Sequence, residues 1–449
     1  MDLQSWRAAC EQALGDLKGA AVAVVGAGRS GLAACRLLCR LQAHVHLLDD
    51  APESELQSRL KQYQNMSQVR VHAAGIKLQQ LQRAQLVVLS PGVPRTHSAI
   101  QAVLQQKIPV VTELDLAAHH LPNCRFIGVT GTNGKSTVTH LLGQMLKADQ
   151  QNVFVGGNLG TPLCEVLLGD TKPAIAVLEL SSFQLETLVT LPLSAAVVTN
   201  IAVDHADRYP SHEHYVRAKQ RIVDLLQPGA TLVCSSQDSH CVQLGKQQAT
   251  RGPVVFVPAL QNSIKKQTLQ QTNAAFAVCM AKRFGATSPC IQQVLKDAKG
   301  LPHRFETLGC VQDVTFINDS KATNVAAALA ALRSIEQGGV HWIVGGQGKS
   351  ENYEPLVQAC QHSNVKRVYV IGQETPALLH CFAKGQAWVQ TVDAHTLQQA
   401  VQLAWQRATK GDVILLAPAC ASFDQFANFE QRGRAFGQLY ERFKQRATA

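Results

Sequence analysis

The chain has 449 residues, with 42 Lys and Arg against 32 Asp and Glu and a formal net charge of +10. At about 150 residues per domain this length predicts roughly three domains, and 46% hydrophobic with 16% charged residues excludes a disordered chain. No run approaches the roughly 20 apolar residues of a bilayer span, residues 1–7 lack a signal-peptide pattern, and the 13 cysteines include no C-x-x-C pair. A cytoplasmic protein is therefore expected, without a membrane span, a disulfide framework or a zinc site. The basic residues are dispersed and not interleaved with aromatics, so the charge argues for polyanionic small substrates as readily as for nucleic acid.

After an N-terminal helical stretch, residues 20–25 read as a buried strand. It runs into Gly26-Ala-Gly-Arg-Ser-Gly31, a helix to about Arg40, and a second strand at 44–48 ending in Asp49 and Asp50. This is G-x-G-x-x-G with an acidic pair about 20 residues downstream, which in a Rossmann unit holds a pyrophosphate and a ribose. Taken alone it reads as NAD or FAD binding, or as a close-packed turn. A further strand at 86–90 runs into Pro91-Gly92-Val93-Pro94, and ligands collect at such carboxyl ends of open α/β sheets.

The chain leaves this unit near residues 109–113. Next comes Phe126-Ile-Gly-Val-Thr-Gly-Thr-Asn-Gly-Lys-Ser-Thr137, an apolar strand, a glycine-rich turn and the start of a helix. Gly131 and Gly134 allow backbone N–H groups to turn onto an anion, Lys135 supplies a mobile cation, and the Ser136 hydroxyl can reach a magnesium ion. The general pattern G-x-x-x-x-G-K-[ST] would need a glycine where Val129 stands, so this is a variant phosphate loop with Gly131 close to Gly134.

Further strands are expected at 153–158, at 174–184 carrying Glu179, and at 195–200, the last running into residues 203–208 with His205. A helix follows with Lys219 on its 215–221 face. Glu179 and His205 at strand ends could hold magnesium beside a triphosphate. Helices at 267–283 and 288–297 close the unit, and residues 300–306 form a turn carrying Arg304. A third α/β unit follows, with strands at 314–318, 341–344, 367–371 and 412–416. Its polar loops at 318–324, 345–350 and 417–426 make a third binding edge. The predicted class is α/β in three domains: Rossmann-like at 1–112, P-loop ATPase-like at 113–300 and Rossmann-like at 301–449.

In this one order, the glycine turn, G-T-N-G-K-S-T, L-E-L-S-S-F-Q, D-H-x-D-R-Y, L-P-H-R-F-E, N-D-S-K-A-T-N and P-A-C-A-S-x-D-Q-F resemble the Mur ligases of peptidoglycan synthesis. The resemblance runs from about Val24 to the last helix and is strongest to the branch that adds D-glutamate. It implies a monomer of three domains that couples ATP hydrolysis to amide formation on UDP-N-acetylmuramoyl-L-alanine through an acyl phosphate. In the family the glycine turn holds the substrate's UDP group and not NAD.

The resemblance implies an ATP site of Gly131, Thr132, Asn133, Gly134, Lys135, Ser136 and Thr137, joined by Asn273, Arg304 and Asp319. It implies Mg2+, two ions in the family, at Ser136, Glu179, His205 and a Lys219 carbamylated by carbon dioxide. Catalysis would rest on Lys135, Glu179, His205 and Lys219. The UDP-substrate would meet Gly28, Arg29, Ser30, Asp49, Asp50, Ser90, Pro91, Gly92, Asn158 and Gln184. D-Glutamate would meet Lys321, Thr323, Lys349, Ser422 and Phe429.

Three departures stand out. Asp50 and Ala51 replace a threonine and an arginine of relatives. The family's H-N-x-x-N is Leu269-Gln-Gln-Thr-Asn273 here, keeping only Asn273. The stretch between Lys219 and Asn273 is shorter than in relatives. The competing readings are a sister ligase for another amino acid, a nicotinamide dehydrogenase built on Gly26–Gly31, and a catalytically silent binding protein.

Overall fold

The first sheet is built from short apolar runs: β1 (Ala21–Val25), β2 (His44–Leu48), β3 (Arg70–His72), β4 (Leu86–Leu89) and β5 (Val110–Val111), in the order β3-β2-β1-β4-β5. All its pairs are parallel. Every residue of β4 is buried, the continuous apolar pattern of a sheet covered on both faces. Because β1 lies between β2 and β4, the glycine turn leaving β1 opens at the point where strand order reverses.

The computed structural model describes residues 2–61, 66, 68–158, 160–205, 208–258, 269–297, 300–349, 351–384 and 389–448. Ala206, Asp207, Gln267, Thr268 and Ser350, and the side chains of Leu269 and Gln270, lie outside that description. Among the described residues no helix is long and apolar enough to cross a membrane.

The second sheet comprises β6 (Arg125–Thr130), β7 (Val153–Gly157), β8 (Ile175–Glu179), β9 (Leu193–Val198), β10 (Leu226–Ser235) and β11 (Val254–Val257), in the order β11-β10-β9-β6-β8-β7 and all parallel. β8 and β9 flank β6, so Glu179 at the end of β8 and Thr199 and Asn200 beyond β9 border the loop that β6 feeds. The segment expected as one strand from residue 174 to 184 divides. It ends at Glu179, and a helix, Ser182–Thr187, starts with a capping box between Ser181 and Gln184.

The third sheet holds β12 (Glu306–Val311), β13 (Val314–Asn318), β14 (Val340–Gly345), β15 (Val365–Ile371), β16 (Gln390–His395) and β17 (Val413–Leu416), in the order β12-β13-β17-β14-β15-β16. Only β12 runs antiparallel to its neighbour. Its two-residue turn, Gln312–Asp313, has positive φ at both residues (47° and 63°), the geometry of a type I′ hairpin without its usual Asn-Gly. The adjacency of β13, β17 and β14 brings the loops at 319–324, 417–426 and 346–349 to one carboxyl edge.

The chain divides into two compact units. One comprises residues 1–201 and 216–297 and carries the first two sheets; the other comprises residues 202–215 and 298–449 and carries the third. Within the first unit the two sheets are tied through Asp115, which is fully buried. Its carboxylate accepts from the N–H groups of Val189 (3.1 Å), Thr190 (2.7 Å) and Leu191 (3.0 Å) and from Thr112 N (2.9 Å). Nearby, Glu113 accepts from Cys164 N at 2.5 Å, and burial pushes its carboxyl up to about 7 against that bond.

At the amino edge of the third sheet Asp412 is 3% exposed. It pairs with Lys366 at 2.7 Å and accepts from Thr409 N at 2.8 Å, while His341 lies 3.4 Å away and meets Tyr369 Oη at 3.0 Å. Burial alone would raise the Asp412 carboxyl, but the bonds from Lys366 and Thr409 outweigh it and hold the group down at about 2, against an ordinary 3.8. Asp412→Asn should lower the unfolding free energy by about 2–3 kcal/mol at neutral pH. Because the folded-state pKa is the lower one, this contribution is present above about pH 3.8 and disappears as pH falls toward 2. Urea unfolding of both proteins across that window checks it, and a gap independent of pH would count against the assignment.

Candidate functional site

The glycine turn after β1 is drawn close to the helix Arg29–Arg40. A Cβ on Gly31 would lie 1.9 Å from the Gly26 carbonyl oxygen, so no larger residue fits. Ser90 Oγ donates to that carbonyl at 2.9 Å, and Asp49 accepts from Ala27 N (2.6 Å) and Ala51 N (2.9 Å). The helix begins at Gly28 without a side-chain cap, which leaves its first N–H groups for an anion. All ten residues expected to meet a UDP-substrate, Gly28, Arg29, Ser30, Asp49, Asp50, Ser90, Pro91, Gly92, Asn158 and Gln184, line one cavity of about 520 Å³. Gly26, Ile76, Val93, Gly157, Gly160 and Pro162 complete the lining. Arg29 crosses this space to donate to the Gly160 carbonyl.

The phosphate loop begins where β6 ends. Gly131 has φ +145°, and a Cβ there would sit 1.9 Å from Thr199 Oγ1, so both backbone angle and space require glycine. Thr199 Oγ1 donates to Asn133 O at 2.6 Å, and Asn133 N donates to Asn200 Oδ1 at 3.0 Å. The loop is thereby held from β9. Gly134 starts the helix Lys135–Ala148, and the buried Asn273 packs against it from the helix Leu269–Arg283.

Lys135 Nζ donates to Gly131 O and Thr132 O, each at 2.8 Å, and Lys219 Nζ reaches the same Gly131 carbonyl at 2.7 Å. Two ammonium groups thus converge on one carbonyl oxygen, although Lys219 is 1% exposed. Glu179, also 1% exposed, accepts from Ser136 Oγ on one carboxyl oxygen and from Asn158 Nδ2 at 2.9 Å on the other. One side chain therefore joins the phosphate loop to the cavity beside the glycine turn.

His205 and Glu179 fall in different compact units. His205 has φ +54°, and its backbone N–H donates to the Asp204 carboxylate at 2.8 Å. Asp204 also receives Lys349 Nζ (3.0 Å) and Asn324 Nδ2 (3.1 Å). Lys349, expected to meet an acceptor's carboxylate, here meets an internal one. Lys321 Nζ lies 4.1 Å from the centre of the Phe429 ring, a cation–π contact. Thr323 N bonds back to Lys321 O, and Ser422 is 2% exposed on its loop. Burial raises the Asp319 carboxyl to about 6, opposed by the Phe305 N–H and by Arg304.

Asp204 and Arg432 were not foreseen. Arg432 is 1% exposed and donates to Ser320 Oγ (3.1 Å), Ser320 O (2.9 Å), Cys420 O (3.0 Å) and Ala421 O (3.2 Å). It clasps the loops after β13 and β17 together, and burial lowers its pKa to about 10. A sequence signal existed. Arg432, Phe436 and Tyr440 repeat every four residues on one helix face, and the two aromatics are core.

Among the described residues no three His, Cys, Asp or Glu side chains form a metal-binding group. The donors that do meet, the Ser136 hydroxyl and the Glu179 carboxyl, are hard oxygens. They would suit a hard divalent cation such as magnesium.

Profiles described as Mur ligase middle domain, Mur ligase glutamate ligase domain and Mur ligase MurD-like N-terminal domain match residues 129–294, 303–420 and 20–112. The chain belongs to the Mur ligase family. It is 38% identical to a UDP-N-acetylmuramoylalanine--D-glutamate ligase of Myxococcus xanthus over 95% of this chain and 99% of that one. A ligase of the same name from Koribacter versatilis is 34% identical over 94% and 98% of the two chains. Two solved structures share the fold. MurF ligase of Thermotoga maritima in complex with ADP superposes with a TM-score of 0.60 at 18% identity over 96% of this chain and 97% of that one. MurC of the same organism gives 0.58 at 16% over 94% and 99%.

Gly131→Ala tests the phosphate loop. Strain of about 1–3 kcal/mol at this backbone angle predicts roughly a tenfold or greater loss of ATP affinity by calorimetric titration. Unchanged affinity would remove the loop from nucleotide binding.

Proposed function

We propose that this chain catalyses the ATP-dependent addition of D-glutamate to UDP-N-acetylmuramoyl-L-alanine in the cytoplasmic stage of peptidoglycan synthesis, releasing ADP and phosphate. The observation that carries the reading is the Glu179 carboxyl, shared between Ser136 of the phosphate loop and Asn158 of the 520 Å³ cavity. Full-length likeness to relatives of that name supports the choice of substrate and acceptor.

The alanyl carboxylate attacks the γ-phosphorus of ATP, giving an acyl phosphate and ADP. The amine of D-glutamate, once deprotonated, then adds to the acyl carbon, and the tetrahedral intermediate collapses with loss of phosphate. Because the first step brings anions together, orientation and positive charge must do most of the work. Lys135 would exchange its carbonyl partners for the β- and γ-phosphate oxygens. The N-terminal N–H groups of the helix behind it hold the same oxygens. Ser136 and Glu179 would hold magnesium, which neutralises phosphate charge when bound. Carbamylation of Lys219 would turn the second ammonium at Gly131 into an anionic group suited to another ion, with His205 as a further metal residue.

On the substrate side the Gly28–Ser30 turn receives the diphosphate, and Asn158 and Gln184 face the muramoyl end. Asn273, Arg304 and Asp319 complete the nucleotide site. Lys321, Thr323, Lys349, Ser422 and Phe429 orient D-glutamate, whose carboxylate would displace Asp204 from Lys349. The working form is a monomer that binds these small molecules and no nucleic acid.

The direct test is ADP release with ATP, magnesium and UDP-N-acetylmuramoyl-L-alanine, comparing D-glutamate, L-glutamate, L-lysine and no amino acid. Release should require D-glutamate. Release with a different acceptor alone would move the chain to a sister activity, and none with any acceptor would reject a ligase. Lys135→Ala should abolish ADP formation while UDP-substrate binding persists. Lys219→Ala should be inactive and regain some activity with added short carboxylates. Full activity without them would remove the carbamate from the mechanism.

A further inference from the structure

The glycine turn is held from behind by three side chains, and one of them comes from outside every motif. Ser90 takes the Gly26 carbonyl, Asp49 takes the Ala27 N–H, and Arg59 Nη1 donates to the Ala27 carbonyl at 3.2 Å. Arg59 lies on the helix Glu53–Lys61, between β2 and β3. Its other terminal nitrogen is paired with Glu55 Oε1 at 2.5 Å, one turn earlier. The guanidinium is thus steered by one carboxylate while its remaining arm reaches the turn.

The effect follows from the planarity of the peptide. In a trans peptide the C=O and the next N–H point in opposite directions. Drawing the Ala27 carbonyl toward Arg59 therefore aims the Gly28 N–H the other way. Gly28 lines the 520 Å³ cavity, and a Cβ built on it meets nothing within 4 Å, so the space beside it is open. It is also the N-cap of the helix Arg29–Arg40 and offers no side-chain cap, and at such helix starts N–H groups collect phosphate oxygens. Asp49, with its oxygens on the N–H groups of Ala27 and Ala51, acts on the same turn from the other side.

We infer that Arg59 is a positioning residue for the diphosphate-bearing substrate: its hydrogen bond to Ala27 fixes the peptide whose Gly28 N–H meets the diphosphate. This rests on the ligase reading above. It deepens that reading by assigning substrate affinity to a side chain on the helix between β2 and β3. An ordinary surface ion pair with Glu55 would make no such contribution, since exposed pairs of this spacing matter little.

Steady-state kinetics and calorimetric binding of UDP-N-acetylmuramoyl-L-alanine to Arg59→Met decide it. Loss of a charged donor to a carbonyl predicts roughly a tenfold rise in KM and Kd for this substrate, with kcat and the KM for ATP unchanged. Arg59→Lys, which keeps a cationic donor, should recover part of the loss, and Glu55→Ala should show a smaller rise of the same kind. Unchanged substrate affinity in Arg59→Met overturns the assignment. Equal losses in ATP affinity, kcat and thermal stability overturn it too, because they mark a merely structural role. If Arg59→Met does not fold, Arg59→Gln is read in the same way. Failure of the wild-type protein to bind the UDP-substrate would reject the ligase reading and this inference together. Wild-type binding with an unaffected variant rejects the inference alone.

Discussion

The arrangement of the first unit depends on one buried carboxyl group. Glu179 ends β8 with 1% exposure, and a polar group so deeply placed must find partners within the protein. It finds Ser136 on one side and Asn158 on the other. Those residues belong to the loops after β6 and β7, and the strand order β6-β8-β7 sets Glu179 between them. Parallel pairing therefore puts the phosphate loop and the cavity beside the glycine turn within reach of a single side chain. Around the same loop, Lys135 and Lys219 share the Gly131 carbonyl.

The second unit achieves order by the opposite device, a buried cation. Arg432 has no carboxylate partner among its hydrogen bonds and is met by three carbonyls and a hydroxyl. Its fixed fork of donors suits holding several acceptors at once. The loops after β13 and β17 are thus shaped before any ligand arrives. Asp204 adds a carboxylate to this unit, balanced by Lys349 and Asn324, and it belongs to a segment that the chain order places between β9 and β10.

Legibility in the sequence followed pattern strength. The central strands β1, β4, β6, β9, β13, β14 and β17 are continuous apolar runs and could be read within a residue or two, whereas the run through β8 does not show where it gives way to the helix at Ser182. Strands β3, β12 and β16 could not be read. β3 has three residues, β16 is Gln390–His395 with a mostly polar composition, and β12 reverses through Gln312–Asp313, a pair that carries no turn signature. The ten residues assigned to the UDP-substrate came from five separate stretches of chain, and they line one cavity. Arg432 carried only the weak signal of sharing a helix face with Phe436 and Tyr440, and the motif that contains Asp204 does not show that its carboxylate is buried against Lys349 and Asn324.

By itself the sequence determined the α/β class, the phosphate loop and the membership of its motifs in one ligase family, because glycine spacing and apolar runs act through local backbone geometry. The tertiary structure alone decided which polar groups share a partner. That Glu179 serves two loops, that two lysines meet one carbonyl, that Arg432 binds two loops and that Arg59 reaches the glycine turn all follow from strand order and helix packing. Such contacts bring together residues tens to more than a hundred positions apart, and no periodicity along the chain encodes them.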